Sequence, residues 1–179
     1  MSLQELRPQA KIPVGPQGTF RAFDMMAVTL EDGDFLYALV RVTKPRIVVE
    51  SGSGSGISGT FIATALQDNG FGELVTYENA QAYYELATEQ LKGLPAEVRL
   101  GEAVDYPWRD LPPEIVYIDS DMGRRHNDLK HFLTCGYRGI VVLHDANREF
   151  PNVDEHGEGV YLPGADGLWV GRSKYWEHD

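Results

Sequence analysis

The chain has 179 residues, 42% hydrophobic and 24% charged, an ordinary balance for one globular domain. Its net charge of −11 works against nucleic-acid phosphates or an anionic membrane as the main partner, because the mean field repels both. A single cysteine, Cys135, rules out an internal disulfide, and no long apolar run follows Met1 or occurs elsewhere, so a soluble, cytoplasmic protein is expected.

Residues 1–22 carry Pro8, Pro13 and Pro16 with Gly15 and Gly18 and show no hydrophobic period. They read as an extended arm ahead of a single domain over 23–179. Residues 24–42 contain a helix, with Gly33-Asp34 as its expected cap and Phe35, Leu36, Leu39 and Val40 on one face. Lys44-Pro45 stops it before the β-branched run 47–50, which ends in Glu50. A glycine-serine loop follows and feeds a helix over 57–68. Strand 74–78 leads to a helix over 79–93, with Ala82, Leu86, Ala87 and Leu91 expected inside. A third strand is expected over 98–103. Pro112-Pro113 breaks the chain before strand 115–119, a helix spans 125–135, and a fifth strand spans 139–145. The tail shows no helix, only a hairpin of 159–162 and 167–171 around 163–166.

Apolar runs alternating with helices predict a doubly wound α/β fold, Rossmann-like, with a mostly parallel central sheet and an antiparallel strand near the C-terminus. Such a sheet binds ligands outside the carboxyl ends of its strands. That rim gathers Glu50, Glu78, Glu102, Asp119 and Asp145.

The loop fits two nucleotide signatures. Gly54, Gly56 and Gly59 satisfy G-x-G-x-x-G, and Glu78 follows at about the distance of a ribose ligand. Glu50, Gly52 and Gly56 equally give E-x-G-x-x-x-G. A carboxylate at the strand end would repel a pyrophosphate and suits a cofactor with a cationic amino group. A glycine loop that only turns the chain is the third reading.

The stretch from Phe35 through Lys44-Pro45-Arg46-Ile47-Val48-Val49-Glu50-Ser51-Gly52 to Gly56-Ile57-Ser58 resembles class I S-adenosylmethionine-dependent methyltransferases. Most similar are the small metal-dependent O-methyltransferases of the catechol and caffeoyl-coenzyme A type and the related sugar O-methyltransferases. The resemblance covers about residues 30–147 and a closing strand at Gly167-Leu168-Trp169-Val170. It implies S-adenosylmethionine as cofactor, with Glu50 near the methionine amino group and Gly52, Gly54, Gly56 and Ser58 against the cofactor. Glu78, followed by Asn79, would take both ribose hydroxyls, with Glu102-Ala103 beside the adenine and Asp119 at the same rim.

The same resemblance implies a divalent cation, Mg2+ or else Ca2+ or Mn2+, on Asp119, Asp145 and Asn147, although Ala146 stands where the family pairs Asn with Asp. Carboxylates on neighbouring strands, roughly 5 Å apart, repel unless a cation or proton intervenes. Helix capping by one acid and protonation or solvation of the other is the alternative. The catechol type carries a lysine where this chain has Met122. His144 or His126 then remains to accept the acceptor's proton, with Asp119 and His144 as the pair if no metal takes part. The expected reaction is methyl transfer to an oxygen of a small-molecule acceptor. Its pocket is either open or completed by the arm or by a second subunit in a homodimer. A nicotinamide-dependent oxidoreductase and a non-catalytic cofactor-binding module are the competing readings.

Overall fold

The computed structural model describes residues 28–146, 153–163 and 166–177. The expected arm, 1–22, and the candidate ligand Asn147 lie outside the described residues. The first helix starts where the Thr29 hydroxyl accepts from the backbone N–H of Asp32 at 3.2 Å. From there α1 (Leu30–Thr43) runs to Lys44, whose left-handed φ of 51° ends it just before Pro45. The expected cap at Gly33-Asp34 is therefore inside the helix. A Cβ on Gly33 would lie 2.6 Å from the Phe61 ring, so this glycine serves close helix packing, not capping.

The order continues with β1 (Ile47–Ser51), α2 (Ile57–Asn69), β2 (Glu73–Glu78), α3 (Gln81–Gln90), β3 (Ala96–Leu100) and β4 (Ile115–Ile118). Then come α4 (Met122–Thr134), β5 (Ile140–His144), a four-residue α5 (Val153–His156), β6 (Gly157–Leu162) and β7 (Leu168–Ser173). The seven strands form one sheet in the order β3-β2-β1-β4-β5-β7-β6. β1 through β5 pair in parallel, and β7 alone runs against its neighbours β5 and β6. The doubly wound architecture and the interior place of β1 are thus as expected. No helix of the described residues is long and apolar enough to cross a membrane.

Successive residues of β1 point to opposite faces. Val48 packs with Leu36, Phe61 and Leu66 from α1 and α2, whereas Val49 joins Phe132 and Leu133 from α4. Both faces are covered, which is why the strands read as continuous apolar runs.

Three local expectations differ. In α3, Ala82 and Leu86 face solvent, Leu86 at 55% exposure, while Ala87, Gln90 and Leu91 face inward. This helix covers the outer strands β2 and β3, so its buried stripe is narrow. The third strand is Ala96–Leu100, and Glu102 lies beyond it, ahead of a single 3-10 turn at Ala103–Asp105. The tail does contain a helix, the short α5 before the hairpin.

Candidate active site

The sheet builds outward in one direction from β1 and in the other from β4, and a crevice opens at that switch, outside the strands' carboxyl ends. Backbone bonds shape its floor. Gly52 and Ser53 donate to the Tyr77 carbonyl at 2.9 and 3.1 Å, and Asp119 donates to the Ser51 carbonyl at 2.8 Å. Gly52 has φ 89°, and a Cβ there would sit 2.5 Å from the Asp119 carbonyl oxygen, so only glycine lets β1 and β4 close at this point. Gly54, φ 48°, has open space where its Cβ would be. Gly56, φ 85°, caps α2 and is absent from the cleft wall; its Cβ would press on Ala87 at 3.1 Å.

Glu78 holds the rim of this loop. Its Oε2 accepts from the Gly54 N–H at 3.0 Å, and its Oε1 accepts from the N–H groups of Asn79 and Ala80 at 3.0 and 2.9 Å. A carboxylate has about four lone-pair sites, so roughly one is left for a ligand, and two ribose hydroxyls would have to compete with a backbone donor. Among the described residues Glu78, Glu102, Asp119, Asp121 and Asp128 line the cleft against one lining arginine, Arg124, itself paired with Glu102 and Asp121. Ser53 and Ser55 also line it, their hydroxyls turned into the protein and without a hydrogen-bond partner among the described residues. Open space at Gly54 and an excess of carboxylates fit a hydroxyl-rich cation better than a pyrophosphate.

Other expected cofactor contacts lie beneath the surface. Glu50 is fully buried under the loop and does not line the cleft; its Oε1 accepts from the Ser58 hydroxyl at 2.5 Å. Burial pushes its pKa up to about 7, against the Ser58 bond, which lowers it. Ala103 is buried in the core below β2 and β4, and only its neighbour Glu102 reaches the cleft.

The acids assigned to a metal stand in a network that the sequence did not announce. Arg125, 5% exposed, donates through Nη2 to Asp119 Oδ1 at 2.9 Å and through Nη1 to Asp145 Oδ2 at 2.6 Å. Its Nε donates to the Ser120 carbonyl at 2.9 Å. His144 Nδ1 lies 3.0 Å from Asp119 Oδ1, and its Nε2 lies 3.4 Å from Asp32 Oδ2 on α1. Burial alone would depress His144, but the charge and hydrogen bond of Asp119, with Asp32 and Asp145, push its pKa up to about 10. This histidine is 3% exposed, is protonated at neutral pH and has carboxylates at both ring nitrogens, so it is not placed as a proton acceptor. His126, the other candidate, does not line the cleft.

Sequence reading missed Arg125 as the internal cation, Asp32 as the histidine's partner, and Asp128. The Asp128 Oδ2 accepts from the Ser51 and Ser120 hydroxyls at 2.6 and 2.8 Å, tying α4 to the ends of β1 and β4. Asp128 lies seven residues beyond Asp121, which caps α4, a spacing that puts both on one helix face.

No family profile matches the chain. A curated protein of Mycobacterium sp. (strain KMS), named "Putative O-methyltransferase", is 32% identical over 140 residues, which is 70% of this chain and 61% of the relative. The chain thus spans less than two thirds of that relative's length. Among solved structures, the O-methyltransferase TomG from Streptomyces achromogenes, in complex with SAM, aligns with TM-score 0.65 at 22% identity, covering 86% of this chain and 85% of that one. The SAH-bound Podospora anserina methyltransferase PaMTH1 aligns with TM-score 0.67 at 17% identity, covering 89% and 82%. The resemblance drawn from the sequence therefore holds twice over, in sequence to an O-methyltransferase and in fold to the Rossmann-like methyltransferases.

Proposed function

We propose that the chain binds S-adenosylmethionine in the cleft between β1 and β4 and transfers its methyl group to an oxygen of a small-molecule acceptor. The observation that carries this reading is the charge of the cleft at the switch point: among the described residues five carboxylates line it against one arginine, which pairs with two of them, and a third, Asp119, is held by Arg125 and His144. That wall favours a sulfonium over its neutral product and disfavours the phosphates a nicotinamide cofactor would bring. When bound, the cofactor supplies an electrophilic methyl group for in-line displacement.

The chain's own residues then bind and orient. Glu78 takes a ribose hydroxyl with its remaining lone pair while pinning the loop through Gly54. The backbone around Gly52 and Gly54 lets the ligand lie close, and Glu102 flanks the adenine end. Glu50 acts from below through Ser58, not by contact. Asp119 is the wall carboxylate assigned to the acceptor, with Arg125, His144 and Tyr117 fixing its direction, and His144 is a positioning residue. Holding two reactants in line is the main source of rate in such a transfer. The reading carries a cytoplasmic setting without nucleic-acid partners, and an acceptor side that is either open or completed by the arm or by a second copy in a homodimer.

The test is thermal shift with S-adenosylhomocysteine and with NAD, followed by transfer of labelled methyl from S-adenosylmethionine to a panel of hydroxylated acceptors. A ligand at a hundred times its dissociation constant adds about 2.7 kcal/mol of stability. Stabilisation by S-adenosylhomocysteine with labelled product is the expected outcome. Stabilisation by NAD alone would overturn the reading, and cofactor binding without turnover on any acceptor would make this a binding module.

A further inference from the structure

We propose that Arg125 takes the place of a divalent cation in this chain, so that the acid pair at the ends of β4 and β5 is metal-free by construction. The inference deepens the methyltransferase reading, yet it rests on groups whose arrangement can be probed without any turnover.

Asp119 and Asp145 leave adjacent parallel strands, and their side chains converge at the rim. Two carboxylates in that position need a positive charge between them. The structure supplies it from α4: one planar guanidinium reaches Asp145 Oδ2 at 2.6 Å and Asp119 Oδ1 at 2.9 Å, with its third edge on the Ser120 carbonyl. A guanidinium is always charged and presents donors in a fixed fork, so it bridges two acids at defined positions as a metal ion would. A divalent ion bonding the same two oxygens at about 2.0–2.6 Å would need the space these guanidinium nitrogens hold. The arginine is also anchored, with its side chain 6% exposed, and swinging aside into water would leave two partly buried acids with His144 as their remaining cation among the described residues. The remaining acceptor on Asp119 Oδ1 is occupied by His144 at 3.0 Å. Asp145 has φ 55°, an unusual backbone for a non-glycine residue, and its carboxylate ends on the arginine.

The consequence for the site is a fixed cation in place of an exchangeable one. Arg125 orients Asp119 against the cleft without binding the acceptor itself, since it does not line the cleft. It is therefore a positioning residue.

The experiment is Mn2+ titration followed by electron paramagnetic resonance, on the wild-type chain and on Asp145→Asn. Expected is no saturable binding in the wild type that Asp145→Asn removes. Arg125→Gln, which clears the charge while keeping most of the bulk, should gain saturable Mn2+ binding, and the double variant with Asp145→Asn should lose it again. Wild-type binding abolished by Asp145→Asn would overturn the proposal. So would a folded Arg125→Gln protein that binds no more Mn2+ than the wild type. Should Arg125→Gln fail to fold by circular dichroism, the comparison of wild type with Asp145→Asn still decides. Failure of the methyltransferase reading would show separately, as absence of S-adenosylhomocysteine binding by the wild type.

Discussion

Replacing Glu78 with glutamine separates two duties the structure assigns to one side chain. Three backbone N–H groups converge on the carboxylate, from Gly54 at 3.0 Å, Asn79 at 3.0 Å and Ala80 at 2.9 Å. Glutamine keeps one carbonyl oxygen. Whichever way its amide turns, the NH2 meets at least one backbone donor, so at least one charge-assisted bond is lost and a donor faces a donor. Such a bond contributes about 1.5–3 kcal/mol. Glu78 is only half-buried, and water can re-satisfy the loop, so the expected loss in the ligand-free chain is about 1–2 kcal/mol. A bond from the carboxylate to a ribose hydroxyl adds a similar amount to binding, and about 1.4 kcal/mol is tenfold in affinity. S-adenosylhomocysteine should then bind Glu78→Gln roughly 10- to 100-fold more weakly. Urea unfolding without ligand and isothermal titration with ligand measure the two effects independently. Unchanged ligand-free stability would refute the pinning of the loop, and unchanged affinity would refute Glu78 as the ribose acid.

Two further outcomes follow from the same geometry. Gly52→Ala must place a Cβ 2.5 Å from a backbone oxygen at φ 89°, whereas Gly54→Ala meets open space at φ 48°. Strain and overpacking should cost the first variant about 2 kcal/mol or more beyond the second, or about 4–8 °C in Tm; equal thermal losses would show that the loop yields freely. The second outcome concerns pH. The His144 pKa is raised on folding, from the ordinary 6.5 to about 10. Its contribution to stability is therefore fully present below about pH 6.5 and is lost as pH rises through about 10. Urea midpoints should fall across that window, and His144→Gln should flatten the fall while lowering stability most at the acid end. A wild-type profile as flat as the variant's would contradict the buried imidazolium.

The elements that position the site were legible because their signals are local. β-branched runs buried on both faces, a glycine loop opening a helix and an acid at or next to the end of β1, β2, β4 and β5 all act within a few residues of chain, and β1, α2 and Glu78 stand where those patterns put them. Where a signal has two local meanings, tertiary contact chose between them. Gly33 reads equally as a cap or as a close approach, and the Phe61 ring decides for the second. Leu86 has helical spacing for the core, but α3 lies over the sheet's outer strands and leaves it in solvent. Charge compensation is the extreme case. The sequence shows that Asp119 and Asp145 need a positive partner, and spacing says nothing of its source, because Coulomb attraction depends on distance in space and not along the chain. Only the fold brings Arg125 onto Asp145 from 20 residues away, and Asp32 onto His144 from 112 residues away, and so turns an apparent metal pair into an internal ion network.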